Sequence, residues 1–356
     1  MSTDIPISPR VNTIRRVLII LALGLVTILV ILKLSGFHAS WEKFRTLDIR
    51  FILAAFAVYY FAFWIRAVRW KILLLAVNRD LPILTLFSYL LVGWFISAAL
   101  PARAGDVARA YFLKSDRGVP LRRGFSSIFV ERGLDGLVIL SCSLIFSFFI
   151  LSLGLPKWVL TLYQVTFSFL LVAILFLYFV PRLESRIRSL SQSARYQKIT
   201  GFLFRLMEKI RFMASHPWQM LAALFLSLII WLCDALVTYL VLLGLNNPLP
   251  LPWVAFISFT VNLVATIPIT PGAVGQIDAV QFSLFSLIGV ARDISGVTIL
   301  ISRFICFWSF LLISGLVTYG TGLARLIRTL PGRRSILETH MESVQQKDRL
   351  HSGVLG

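Results

Sequence analysis

Long apolar stretches recur along the whole chain, and they limit the fold more than any other feature of the sequence. A helix needs roughly 20 consecutive apolar residues to cross a bilayer. Hydrophobic residues make up 58% of the chain, whereas charged residues make up 14%. The sequence therefore predicts an all-α polytopic membrane protein. The apolar runs cover residues 17–35, 49–65, 83–100, 125–153, 158–180, 218–244, 253–290 with interruptions, and 295–323.

The chain is strongly basic, with a formal net charge of +19 at pH 7. Its lysines and arginines lie between the apolar runs and in the two tails rather than on one soluble face. Cytoplasmic loops of membrane proteins carry such an excess of positive charge, so we expect membrane lipids as partners and no nucleic acid. Cys142, Cys233 and Cys306 each stand alone in an apolar run, without metal-ligand or disulfide spacing. We expect neither a metal nor a cofactor.

The basic stretches indicate which segments return to the side from which they entered. Arg10, Arg15 and Arg16 precede the first run, and no cleavage site follows it, which indicates a retained anchor and a cytoplasmic amino terminus. The basic stretches "RAVRWK" and "LKSDRGVPLRR" stand before and after the apolar part of residues 83–113. A single crossing would put them on opposite sides of the membrane, so we predict a re-entrant hairpin that breaks near Pro101.

The same reasoning predicts a second re-entrant hairpin, which enters from the outer face. The basic region 182–215 indicates a cytoplasmic linker, whereas "LNNPLPLP" carries no charge. Residues 253–290 must then start and finish outside, with breaks at Pro268 and Pro271. The sequence thus predicts about six full crossings and two re-entrant helical hairpins. A plain eight-crossing topology stays open, because residues 83–100 are long enough to span alone.

Landmarks recur in two halves of the chain, about 49–153 and 218–323. Trp64 and Trp231 are separated by 167 residues, and other landmarks keep nearly the same offset. Because the halves would cross the membrane in opposite directions, this pattern predicts an inverted-topology repeat, as in many secondary transporters. We expect one domain in the cytoplasmic membrane, with both termini in the cytoplasm. The domain covers 17–325, after a cytoplasmic segment 1–16 and before a disordered tail 326–356.

Each predicted hairpin places the start of a helix inside the membrane. Pro101, Pro268 and Pro271 would end the preceding half-helices. The next half-helix presents unpaired N–H groups and the positive end of its dipole, which favour a phosphate. Irregular backbone is tolerated at this depth only where protein or water covers it, so the breaks also predict a cavity.

Charged and small residues follow the two breaks. In the first hairpin, Arg103 and Arg109 would strengthen the positive helix end, and Asp106 would cap it or hold an arginine. In the second hairpin, Gly272 and Gly275 would allow the backbone to approach a ligand closely. Asp278 lies one helical turn after these glycines.

Further ionisable residues stand inside predicted full crossings. Glu131 and Asp135 are one turn apart on one helix face, beside Arg132. Arg303 lies at the repeat-equivalent position, and Asp234 interrupts another crossing. A charge at the bilayer centre costs at least about 2.5 to 3.5 kcal/mol, so we predict that these residues line the cavity and bind substrate. The alternative is a packing network in which acids and arginines neutralise one another.

Four ordered motifs carry a family resemblance. "RAVRW", "LPARAGDVAR", "FVERGLD" and "ITPGAVGQID" resemble the lysylphosphatidylglycerol synthase transmembrane region, a flippase-like family that includes the membrane half of the multiple peptide resistance factor. The resemblance spans roughly residues 15 to 325 and implies a lipid-flippase fold with two re-entrant elements around a headgroup cavity. Where the family usually has glutamates, this chain has Asp106 and Asp278. Only about 33 residues follow position 323, so we expect no aminoacyl-transferring domain and no lysyl transfer.

The leading hypothesis is a transporter that moves a phosphate-bearing lipid, or a lipid-linked intermediate, between leaflets. Arg103, Arg132 and Arg303 would contact the phosphate, and the acids would position those arginines or bind a cationic part of the headgroup. A membrane enzyme acting on lipid-linked substrates is an alternative, although the first outer loop holds only the isolated Glu42 and Asp48. An accessory subunit and a transporter of a soluble anion also stay open. The oligomeric state is not determined by the sequence, and a homo-oligomer is compatible with it.

Overall fold

The computed structural model describes residues 24–75, 80–99, 104–179, 215–266, 270 and 273–320, together with scattered helical residues between 201 and 212. All regular secondary structure in these ranges is helical, which confirms the predicted all-α class. The predicted cytoplasmic segment 1–16, most of the linker 182–215 and the tail 326–356 lie outside the described residues.

The described helices fall into two length classes. The long ones reach 23 to 28 residues, and the short ones have 9 to 17 residues. The helices are α1 (Gly24–Ser35), α2 (Phe37–Arg45), α3 (Ile49–Leu75), α4 (Ile83–Ala99), α5 (Ala104–Arg117), α6 (Leu121–Ser147, continued by a 3₁₀ turn Phe148–Leu153), α7 (Lys157–Phe179), α8 (Pro217–Gly244), α9 (Leu251–Ala265), α10 (Gln276–Leu287), α11 (Arg292–Arg303), a π-helical segment (Phe304–Trp308) and α12 (Ser309–Gly320).

Four helical segments are long and apolar enough to cross a membrane. The helices α1 and α2 are bent by 97° at Gly36, and together they could form a fifth span. The described residues therefore contain four or five membrane-capable helices, and the six predicted crossings stay a prediction. The four segments are Ile49–Leu75, Leu121–Leu151, Pro217–Gly244 and Arg292–Gly320.

The order of helix lengths recurs in the two halves of the chain. Long α3, short α4 and α5, and long α6 are followed later by long α8, short α9 and α10, and the long segment from α11 to α12. The contacts recur as well, because α4 packs on α12 and α9 packs on α6. The equivalent helices α3 and α8 pack along each other in opposite directions: the Asp48 N–H donates to the Gly244 carbonyl (2.9 Å), and Arg69 donates to Ser227 (2.5 Å).

Two helical hairpins occupy the regions where re-entrant elements are predicted. The four helices involved have 12 to 17 residues and reach roughly 18 to 26 Å, which is shorter than the hydrocarbon core of about 30 Å. In the first hairpin, α4 and α5 approach so closely that a Cβ atom on Gly105 would lie 1.6 Å from the Gly93 carbonyl oxygen. In the second hairpin, the Gln276 side chain donates to the Val264 carbonyl (3.1 Å). The predicted breaks at Pro101, Pro268 and Pro271 lie outside the described residues.

The close contact between the first two short helices can be tested by adding one methyl group. Gly105→Ala should lower the free energy of unfolding by about 1 to 3 kcal/mol. The added methyl group would overlap the Gly93 carbonyl, and backbone cannot move aside as easily as a flexible side chain. Thermal unfolding in detergent measures the effect. Gly133→Ala is the matched control, because an added Cβ there meets no atom within 4 Å. Equal melting temperatures for the two variants would contradict the close packing of α4 on α5.

The prediction that the stretch "RAVRWK" follows the second apolar run as a basic segment outside the membrane is wrong. Instead α3 continues to Leu75, and Arg66 and Arg69 are buried within it. These arginines therefore do not count as loop charges. Of the same stretch, Lys71 is partly exposed and forms an ion pair with Asp80 (3.0 Å).

Candidate functional site

A cavity of about 830 Å³ lies between the two halves of the chain. Its walls come from helices of both halves and from α7, and most of its lining is aromatic or aliphatic, including Phe63, Ile139, Phe169 and Phe310. Six charged side chains of the described residues also line it. They are Arg66, Asp106, Arg132, Asp135, Asp234 and Arg303.

An arginine–aspartate pair recurs at equivalent places in the two halves. Arg132 donates from Nε (3.1 Å) and Nη2 (2.7 Å) to the two carboxylate oxygens of Asp106. Arg303 donates from the same two atoms, at 2.5 and 2.9 Å, to Asp278. Each aspartate is the third residue of the second hairpin helix, and each arginine belongs to the long segment that follows. This shared side-chain geometry agrees with the repeat that the sequence predicts.

Local backbone structure fixes the second of these pairs. Gly275 adopts φ +79°, which is favourable for glycine and directs the chain into α10. Its N–H donates to Asp278 (2.8 Å). The Asp278 carboxylate therefore both stabilises the start of α10 and orients Arg303. Arg303 also donates to the Ala273 carbonyl (3.2 Å). The π-helical segment that follows directs Cys306 and Phe307 towards the cavity.

A second charged cluster lies behind the cavity in the first half. Glu131 is 2% exposed and forms ion pairs with Arg109 (2.8 Å) and Arg69 (3.2 Å). The guanidinium of Arg109 packs on the ring of Trp70, 4.0 Å from its centroid. Arg69 also pairs with Asp135. These bonds satisfy most of the charges that α3, α5 and α6 bury against one another.

The predicted site residues divide into three groups. Asp106, Arg132, Asp135, Asp234 and Arg303 line the cavity. A second group is not among the cavity-lining residues: Arg109, Glu131 and Asp278 are buried in ion pairs, and Gly275 begins α10. The ion pairs of Asp106, Glu131 and Asp135 agree with the packing-network alternative, and their binding of substrate stays a prediction. The third group lies outside the described residues and consists of Pro101, Arg103, Pro268, Pro271 and Gly272.

Arg66 lines the cavity but was not among the predicted site residues. It is 7% exposed, and its guanidinium carbon lies 4.9 Å from the ring centroid of Phe63, 5.8 Å from that of Trp94 and 5.6 Å from that of Trp231. Among the residues described here it forms no ion pair, and its Nη1 has no hydrogen-bond partner. The three-residue spacing to Arg69, which places both on one helix face, is the sequence signal that could have identified it.

Asp234 has a neutral partner rather than a cationic one. The Asn262 side-chain amide donates to its carboxylate (2.6 Å) and also to the Ser258 carbonyl (2.8 Å). Within the described ranges Asp234 forms no ion pair. The same ranges contain no group of three or more metal-ligating side chains.

Comparison with known proteins identifies relatives along most of the chain. Residues 17–314 match the family described as the lysylphosphatidylglycerol synthase TM region. A UPF0104 membrane protein of Pyrococcus horikoshii is 24% identical, with 84% of this chain and 95% of the relative covered. One from Methanothermobacter thermautotrophicus is 21% identical, over 82% of this chain and 91% of its own. Glycosyltransferase AglD of Haloferax volcanii is 26% identical over 79% of this chain but only 50% of that protein. No solved structure matches significantly.

Proposed function

This chain belongs to the lysylphosphatidylglycerol synthase TM region family of multi-pass integral membrane proteins, and we propose that it moves a phosphate-bearing lipid, or a lipid-linked intermediate, between leaflets. The cavity between the two halves is the observation that carries this proposal. Its volume of about 830 Å³ suits a headgroup rather than a whole lipid. The headgroup would pass through the cavity while the acyl or prenyl chains remain in the bilayer.

The internal repeat supports a transport mechanism. Transporters with inverted repeats bind their substrate near the bilayer midplane, at the interface between the repeats. Here α3 and α8 are antiparallel, the hairpin helices are short, and the pair of Arg132 with Asp106 has its counterpart in Arg303 with Asp278. These features support two re-entrant hairpins among six full crossings, and the basic segments of the sequence support the cytoplasmic membrane with cytoplasmic termini.

The paired arginines have a defined role in this proposal. Arg132 and Arg303 lie at the cavity surface, and each retains N–H groups beyond those bonded to its aspartate. Asp106 and Asp278 hold the two guanidinium planes in place. A phosphate moving through the cavity would bind first to one arginine and then to the other.

Leaflet exchange in liposomes tests the proposal. Acyl-labelled lipids with several headgroups are exposed to an impermeant quencher in vesicles with and without the purified protein. Arg132→Ala and Arg303→Ala should each slow exchange at least about tenfold, a change of about 1.4 kcal/mol, because each removes a phosphate contact. Arg292→Ala, at the exposed start of α11, should leave the rate unchanged. Absence of exchange for every headgroup, from protein that unfolds cooperatively, would overturn the proposal.

A role as a membrane enzyme or accessory subunit acting on lipid-linked substrates is the second candidate. The relative named glycosyltransferase AglD favours it, and the chain covers about half of that protein's length. Saturable binding of a lipid-linked phosphate without any leaflet exchange would support this candidate over transport.

A further inference from the structure

Two of the charged side chains that line the described part of the cavity lack an ion pair. Arg132 and Arg303 are held by aspartates. Asp106 and Asp135 are likewise held by arginines. This leaves Arg66 and Asp234, which attract each other electrostatically but form no ion pair with each other or with another described residue.

Arg66 offers a strong binding site for an anion. Three aromatic rings surround its guanidinium and its Nη1 has no hydrogen-bond partner among the described residues. A buried donor that is charged and unpaired is costly to desolvate. The planar guanidinium can bind two phosphate oxygens at once, which would satisfy both its charge and its free N–H groups.

Asp234 offers a complementary site for a cation. Its described partner is the amide of Asn262 (2.6 Å), which supplies a hydrogen bond but no positive charge. An ionised carboxylate has about four acceptor positions, so further donors can bind. A protonated amine would supply both hydrogen bonds and a positive charge in direct contact with the carboxylate.

The two sites lie close enough to contact one small headgroup. The guanidinium of Arg66 packs over the ring of Trp231 on α8. Asp234 is three residues further along α8, or roughly 4.5 Å at 1.5 Å per residue, and its carboxylate attracts Arg66 electrostatically. Both side chains face the same cavity.

We propose that the transported headgroup is zwitterionic, with a phosphate that binds Arg66 and a protonated primary amine that binds Asp234. This inference rests on the proposed lipid transport. A headgroup with only a phosphate would bring its negative charge near the Asp234 carboxylate, and like charges repel strongly in a cavity with a low dielectric constant. A headgroup with both charges pairs each of the two residues and adds no net charge.

A matched pair of lipids tests this inference. Phosphatidylethanolamine, labelled on one acyl chain, carries both groups, whereas its N-acetylated form keeps the phosphate and loses the cation. In liposomes with the parent protein, the first should exchange at least about tenfold faster than the second. Asp234→Asn should reduce this ratio to near one, whereas Asp234→Glu should largely retain it. Glu42→Gln, which changes an exposed acid outside the cavity, should leave the ratio unchanged.

The outcomes separate this inference from the transport proposal. Equal exchange of the two lipids by the parent protein would overturn the zwitterionic headgroup and leave lipid transport intact. A ratio that persists in folded Asp234→Asn would overturn the role of Asp234. If Asp234→Asn fails to fold, the ratio of the two exchange rates in the parent protein decides whether the headgroup is zwitterionic. Absence of exchange for both lipids, and for the other headgroups, would overturn transport itself.

Discussion

Arg66→Met should reduce lipid exchange at least about a hundredfold, a loss of about 2.7 kcal/mol of phosphate binding. The reason is that Arg66 is buried at the cavity surface without an ion pair among the described residues. The folded protein should lose little stability, because the substitution removes a buried charge that is costly to desolvate and that forms no ion pair with a described residue, which offsets the attraction that Asp234 loses. Methionine also keeps favourable contacts with the aromatic rings that surround this position.

The combination of lost transport and retained stability distinguishes a binding residue from a structural one. Exchange rates in liposomes and thermal unfolding in detergent provide the two measurements. Arg66→Lys should be intermediate, since it keeps the charge but loses the planar pair of donors. Arg292→Met provides the control for loss of an exposed arginine. A marked fall in melting temperature for Arg66→Met, or an unchanged exchange rate, would contradict the assignment.

The positions of the helices could be predicted closely from the sequence. The run at 83–100 corresponds to α4, Ile83–Ala99, and the run at 218–244 to α8, Pro217–Gly244. Hydropathy is a local property, so it marks such segments without knowledge of the fold. Polar breaks likewise indicated where the two hairpins would lie. The number of crossings depends on how each helix sits in the membrane, which local hydropathy does not determine.

The far end of α3 could not be predicted in the same way. The charges of Arg66 and Arg69 predicted a loop after residue 65, but α3 continues for another ten residues. Their burial depends on partners that come from other helices. Arg69 is compensated by acids on α6, and Arg66 packs on Trp231 of α8. No pattern within residues 49–75 records those contacts.

The charged site was predicted in its residue types but only partly in its pairings. Asp106 was expected to cap a helix or to hold an arginine, and it holds Arg132. Arg303 has no acid within one helical turn of its own sequence, and its partner is Asp278, 25 residues earlier. Such pairs form when a hairpin packs against the following long helix. A single sequence shows the charges but not which of them meet.

The cluster behind the cavity should have the largest effect on stability. Glu131→Ala should lower the free energy of unfolding by about 3 to 5 kcal/mol, because it leaves two buried guanidinium groups short of a partner. Of the ion pairs formed with described residues, Arg109 would keep the 3.5 Å contact with Asp106, and Arg69 would keep Asp135. Unfolding in a denaturing detergent, followed by tryptophan fluorescence, measures the loss.

A double substitution separates lost charge pairing from lost packing. Glu131→Gln combined with Arg109→Met should recover part of the stability that Glu131→Gln alone removes, since an apolar replacement of a buried ion pair is often neutral or stabilising. Additive effects of the two single variants would show that Glu131 and Arg109 are not energetically coupled, despite their 2.8 Å contact. Positive coupling would assign this cluster to stability. The headgroup contacts would then belong to Arg66 and the other arginines at the cavity surface.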